Sequence, residues 1–131
     1  MNKASRAKWI PFVLLALVLA GCPSVLDSTI TITPGVPSDG SSIVSGVWYP
    51  NSSSATLQLT AVVSPSNASK KSVTWSATYV SGQTGQVSVT ADGLVEISSS
   101  ISGVMVETIT ATATDGSGVT ATFTVNGSNF S

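Results

Sequence analysis

The sequence predicts an all-β domain. Three observations predict it. Charged residues make up only 8% of the chain, while Ser, Thr, Val, Ala and Gly dominate, and small or β-branched side chains suit pleated surfaces. Apolar residues recur with a period of two: Leu57, Leu59, Ala61 and Val63 alternate with Gln58, Thr60 and Ser64, the pattern of a half-buried strand. Turn residues punctuate the runs, with Asp92-Gly93 and Asp115-Gly116 between apolar alternations, where Gly accepts positive φ without steric cost.

The first 21 residues read as a signal peptide. Lys3, Arg6 and Lys8 precede an apolar run from Ile10 to Ala20, which is 11 residues long and interrupted by Pro11. A spanning helix needs about 20 residues, so this run suits a secretory signal better than a membrane span. It ends Leu19-Ala20-Gly21-Cys22, which resembles the lipobox of bacterial lipoproteins. That resemblance implies cleavage before Cys22 and acylation of its thiol. The plainer account is an ordinary signal peptide with an incidental thiol. Cys22 is the single Cys of the chain and falls at the one position that fits. Two or three acyl chains hold a protein durably on a bilayer, whereas one gives reversible binding. Residues 22–28 then form a lipidated tether, of which Pro23 to Ser28 reaches about 20 Å when extended. Pro23 follows the Cys, where an Asp in Gram-negative lipoproteins marks retention at the inner membrane. The resemblance therefore points to the outer membrane or cell surface.

The domain is expected over residues 29–126, with a tail at 127–131. Thr29 to Thr33 is the first strand, with Ile30 and Ile32 facing the core. Pro34-Gly35 and Pro37 to Gly40 are turns. Leu57 to Val63 is a strand, Ser64 to Asn67 a turn, and Val73, Trp75 and Ala77 resume the alternation, with Trp75 as the largest buried body. Gln86 to Thr90 and Leu94 to Ile97 form a hairpin, with Val95 and Ile97 inward and Glu96 outward. Ser98 to Gly103 is a loop. Glu107 to Thr114 and Val119 to Val125 form the last hairpin. There Ile109, Ala111, Ala113, Val119, Ala121, Phe123 and Val125 face in, and Thr108, Thr110, Thr112, Thr114, Thr120, Thr122 and Thr124 face out. On that parity Val104 and Val106 fall on the outer face, which calls for a bulge or a loop boundary before Glu107.

Five segments in order carry a family resemblance: Leu57-Gln58-Leu59-Thr60-Ala61, Ser64 to Ala68, Val73-Thr74-Trp75-Ser76, Val89 to Val95 ending Asp92-Gly93-Leu94-Val95, and the pair Thr108 to Ala113 with Ala121 to Val125. Together they resemble the bacterial immunoglobulin-like domain, group 2, of intimin- and invasin-type surface proteins. The resemblance spans Thr29 to Val125. It implies an immunoglobulin-like β-sandwich of about seven antiparallel strands at the cell surface and brings no catalytic residues with it. The chain departs from that pattern from Ser41 to Ala55, which carries Ile43-Val44, Trp48-Tyr49-Pro50 and the polar run Asn51 to Ser54. Read as an insertion outside the core, this piece could lose Trp48 and Tyr49 together without unfolding the domain.

Several chemistries are excluded or weakened by composition. The chain has no His, so histidine triads and His metal sites are absent. After the leader, Lys70 and Lys71 face all six Asp and Glu, so no basic footprint for nucleic acid exists. A Ser nucleophile would need a base, and no paired-carboxylate arrangement is visible, so no catalytic residues are assigned and an enzyme is not expected. Asp39, Asp92 and Asp115 lie in turns, where Asp serves the backbone, and they lack the spacing of a Ca²⁺ loop. No metal and no cofactor is expected. The Asn51, Asn67, Asn126 and Asn129 sequons fit a glycosylation a bacterial lipoprotein rarely uses. The outward Thr array suits ice binding or O-glycosylation in principle, though cross-strand Thr pairing on a solvated sheet accounts for it.

Trp48 and Tyr49 are the candidate partner-binding residues. Neighbours on a strand point to opposite faces, so one of the pair should be exposed. Exposed aromatics stack on sugars or anchor proteins; the plainer account is that both cover the edge of the sandwich. The expected partners are the membrane, through acyl chains on Cys22, and a protein or glycan of the envelope. The expected function is a lipid-anchored envelope protein acting as a non-enzymatic interaction module. Alternatives are an envelope spacer with no specific ligand and a carbohydrate-binding module using Trp48 and Tyr49.

Overall fold

The computed structural model describes residues 28–64 and 71–130. The leader, Cys22, the tether up to residue 27 and the turn expected around Pro65 to Asn67 lie outside the described residues. Nine strands run through the rest: β1 (Thr29–Pro34), β2 (Ser42–Val44), β3 (Val47–Tyr49), β4 (Thr56–Ser64), β5 (Val73–Gly82), β6 (Val87–Val89), β7 (Leu94–Ile97), β8 (Ile101–Ala113) and β9 (Thr120–Phe130). Among the described residues, no helix is long and apolar enough to cross a membrane.

The strands form a four-stranded sheet, β1-β4-β7-β6, and a five-stranded sheet, β2-β3-β9-β8-β5. With β2 and β3 set aside, seven strands remain. The first, second, fifth and fourth share one sheet, and the third, sixth and seventh share the other. That division is the immunoglobulin constant-type sandwich. The fold is an immunoglobulin-like β-sandwich, as the sequence predicts.

The alternation fixes which side of each sheet is buried. Ile30 and Ile32 on β1 point inward, and Leu57, Leu59 and Val63 on β4 are buried. Val95 and Ile97 on β7 are buried and Glu96 faces away. Ile109, Ala111 and Ala113 on β8 and Phe123 and Val125 on β9 are buried as predicted. The Asp92-Gly93 hairpin is present: Thr90 N–H donates to Leu94 O and Gly93 N–H to Thr90 O. Gly93 has φ of 87°, which a side chain would resist.

Four expectations need correction. First, Ser41 to Ala55 is no insertion outside the core. Its strands β2 and β3 form a hairpin through Ser45 and Gly46, both at positive φ (51° and 79°), as a type I′ turn requires. β3 then pairs with β9, Val125 opposite Trp48, in the one parallel pairing among the described strands. Second, the largest fully buried side chain is Trp48, not Trp75. Trp75 is only half-buried because β5 is the outer strand of its sheet; its ring lies beside Gly93 at the rim. Third, β8 begins at Ile101 and alternates without a break, so no bulge separates Val104 and Val106 from Glu107. Val104 and Val106 face out, and Glu107 takes an inward position. The irregularities sit instead on the neighbours, between Tyr79 and Ser81 and between Ser128 and Phe130. Fourth, β9 continues past Asn126 to Phe130, which packs against the core beside Gly127.

The two poles of the sandwich are distinct. At one, Ser28 Oγ donates to Asp115 Oδ2 at 3.0 Å, tying the start of the domain to the β8–β9 turn. At the other, Phe130 pairs with Ile101.

Candidate interaction face

Trp48 and Tyr49 point opposite ways, as strand geometry demands. Trp48 is 0% exposed and belongs to the core, while Tyr49 is 42% exposed. Trp48 is therefore out of reach of any partner while the domain is folded, and Tyr49 is the half of the predicted pair that faces outward. A polar chain holds Trp48 in place. Its Nε1 donates to Ser41 Oγ at 2.8 Å. Ser41 Oγ in turn donates to Asp39 Oδ1, and the same carboxylate accepts the Ser41 and Asn51 backbone N–H groups at 3.0 Å. Burial pushes the Asp39 carboxyl up, but the bonds from Ser41 and Asn51 outweigh it, so its pKa lies below the usual Asp value. This carboxylate joins the turn before β2 to the polar run after β3. The part it plays is that of a turn Asp, as sequence reasoning gave it.

Asp115 accepts from the Ser117 N–H at 2.8 Å; its pKa is lowered by Ser117 foremost and by Ser28. Asp92 is exposed and lends its backbone carbonyl to Gln58 Nε2 at 2.8 Å. Among the described residues, no three His, Cys, Asp or Glu come together as metal ligands would.

Register places Tyr49 on a broad uncharged surface, the outer face of the five-stranded sheet. Thr74, Thr112 and Thr120 form one cross-strand row. Ser76, Thr110 and Thr122 form the next. Thr78, Thr108 and Thr124 form a third, which continues through Val47 to Val44. Beyond it lies Val106 opposite Asn126, and one parallel step past the Trp48–Val125 pair Tyr49 reaches the same row, with Ser42 opposite it. Val104, opposite Ser128, ends the face. Among the described residues, no Asp, Glu, Lys or Arg stands on it. Rows are spaced about 6.6–6.8 Å along the strands and about 4.7–4.9 Å across them, close enough for Thr–Thr contacts worth about 0.2–1 kcal/mol per pair.

The outward Thr residues were legible from alternation. The joining of Tyr49 to them was not, because it depends on β3 pairing with the far end of β9. Val44 and Val104, both about half exposed, add apolar area that only the register reveals. No protein-family model matches the chain, and no curated protein is similar to it.

Proposed function

We propose that the protein is a lipid-anchored component of the bacterial envelope whose sandwich is a non-enzymatic interaction module, docking an envelope partner on the outer face of its five-stranded sheet around Tyr49. The observation that carries the docking role is that face: hydroxyl-lined, uncharged, and bearing an exposed aromatic among exposed valines. Tyr supplies much contact area at low entropic cost, and a surface without charges gives up little hydration when covered. The anchoring half of the reading rests on Leu19-Ala20-Gly21-Cys22 and its resemblance to a lipobox. The resemblance to group 2 bacterial immunoglobulin-like domains supports a surface setting. The carbohydrate-module alternative loses ground, since only one of its two aromatic rings reaches the surface.

Two measurements test this. For the anchor, the protein from its own cells partitions into the detergent phase of Triton X-114, and Cys22→Ser moves it to the aqueous phase or leaves it uncleaved. An intact mass with an unmodified Cys22 thiol rejects acylation. For the face, Tyr49→Ala keeps the parent circular dichroism and urea midpoint but weakens capture of the cross-linked partner by about 30-fold, the equivalent of about 2 kcal/mol. Unchanged capture would place the interaction elsewhere on the domain, and no captured partner at all would favour the spacer reading.

A further inference from the structure

On β8 the unbroken alternation puts a carboxylate where apolar residues belong. Glu107 is 4% exposed and shares its inward face with Met105 and Ile109. Its register neighbours are Tyr79 on β5 and Val125 on β9. From the opposite sheet the backbone N–H of Val87, on β6, approaches the carboxylate. Oε1 is buried and has no hydrogen-bond partner. A carboxyl oxygen stripped of water and unpaired is costly as an anion and far cheaper as a neutral acid.

Among the described residues, no cation offsets that charge. The titratable group on β5 that faces Glu107 is Tyr79, a phenol that turns its OH toward Gly82 O at 3.4 Å. The neighbouring position on β9 is Val125. β4 and β7 present Leu57, Leu59, Val95 and Ile97 to the interior, and Glu96 stands on the far side of its sheet. β1 and β6 carry no charged residue. Lys71 precedes β5 at the end that pairs with Ala113, more than about 20 Å along the strand.

β6 is the weakest place for such a group to press. It has three residues, ends its sheet, and is held along one side by Ile97, Glu96 and Val95 of β7. We propose that Glu107 is a proton-operated latch on β6: uncharged, it lets Val87–Val89 close over the sandwich, and ionised, it loosens that edge and uncovers β7.

The direction follows from linkage. Burial raises the Glu107 pKa above its ordinary 4.5, and the Val87 N–H offsets this only in part. The folded state thus holds the proton more tightly than the unfolded chain. The stability this contributes is complete below 4.5 and is lost as pH rises through the raised value. Within that window the folding constant falls by up to about tenfold per pH unit. Asp39 and Asp115 have lowered pKa values, so their contributions are present above the ordinary Asp value and disappear on strong acidification, below the window of Glu107.

The test uses the full chain in mild detergent. Carboxyl ¹³C shifts followed against pH give the Glu107 titration directly, and amide protection factors at Val87–Val89 are compared with those at Ile109–Ala113. A Glu107 midpoint above 4.5, with β6 protection falling at least tenfold relative to β8 as the group ionises, is the expected result. A midpoint at or below 4.5, or β6 protection that tracks β8 throughout, overturns the latch. Both readouts come from the unaltered protein, so they stand whether or not a variant folds. Glu107→Gln, which keeps the length and removes the charge, abolishes the pH dependence of β6 protection; a Glu107→Gln protein that folds and keeps the parent profile overturns the assignment equally.

Discussion

Trp48→Ala lowers the stability of the domain by about 3–5 kcal/mol, the range for deleting a buried aromatic. The indole is fully enclosed, so truncation leaves a cavity between the sheets, and Ser41 Oγ loses the donor that anchors it at 2.8 Å. Against a total of about 5–15 kcal/mol for a domain, the variant is barely folded or unfolded. This reverses what Ser41 to Ala55 suggests when read as an insertion. Trp75→Ala is the comparison, because its half-buried ring at the rim can be replaced in part by solvent. Its loss is the smaller of the two. Urea midpoints decide the ranking, and a larger loss at Trp75 would mean that the core is centred on β5.

Gly93→Ala costs about 3 kcal/mol or more. Two effects add. At φ of 87° an L side chain pays about 1–2 kcal/mol. The new Cβ would also lie 2.6 Å from Leu59 O and 3.0 Å from the Trp75 ring. Leu59 cannot simply move, since its N–H donates to Gly93 O at 2.9 Å. Gly116→Ala separates the two effects. It has φ of 89° with nothing within 4 Å of the added Cβ, so it pays the conformational cost alone. Equal losses in thermal or urea unfolding would show that the contact with β4 and Trp75 does not matter.

Much of this fold is legible as a period of two. On β1, β4, β7 and β9 each apolar position names its face, and Asp92-Gly93 names its turn. The β2–β3 hairpin escapes because three-residue strands are too short to display a period, and Ser45-Gly46 is a weaker turn signal than Asn-Gly. The choice between Trp48 and Trp75 is tertiary. It depends on β3 lying beside β9 while β5 has a neighbour on one side only, and no local pattern contains that. The stretch before Glu107 misleads because Val104 and Val106 are apolar yet stand on the outer face, which calls for a bulge or a loop boundary if that face is taken to be polar throughout. Continuing the alternation back from Ile109 through Met105 to Ile101 would have removed the bulge at the cost of one buried acid. The outer Thr rows were visible from sequence, while the place of Tyr49 beside them required the parallel register.

That parallel pair also decides how the domain would bear a pull. Ser28 enters at the pole of the β8–β9 turn, and Phe130 leaves at the other, about 35 Å away along β9. Once β1 has left β4 and β2 has left β3, tension between these ends reaches β3 at its first residue and β9 at its last. The two strands run the same way, so they are dragged past each other lengthwise and their hydrogen bonds are loaded together instead of peeling one at a time. Trp48 sits in the middle of that pair, wedged into the core. Sliding β3 requires drawing its indole out of the interior, which makes one tryptophan both the centre of the packing and the pin that resists stretching.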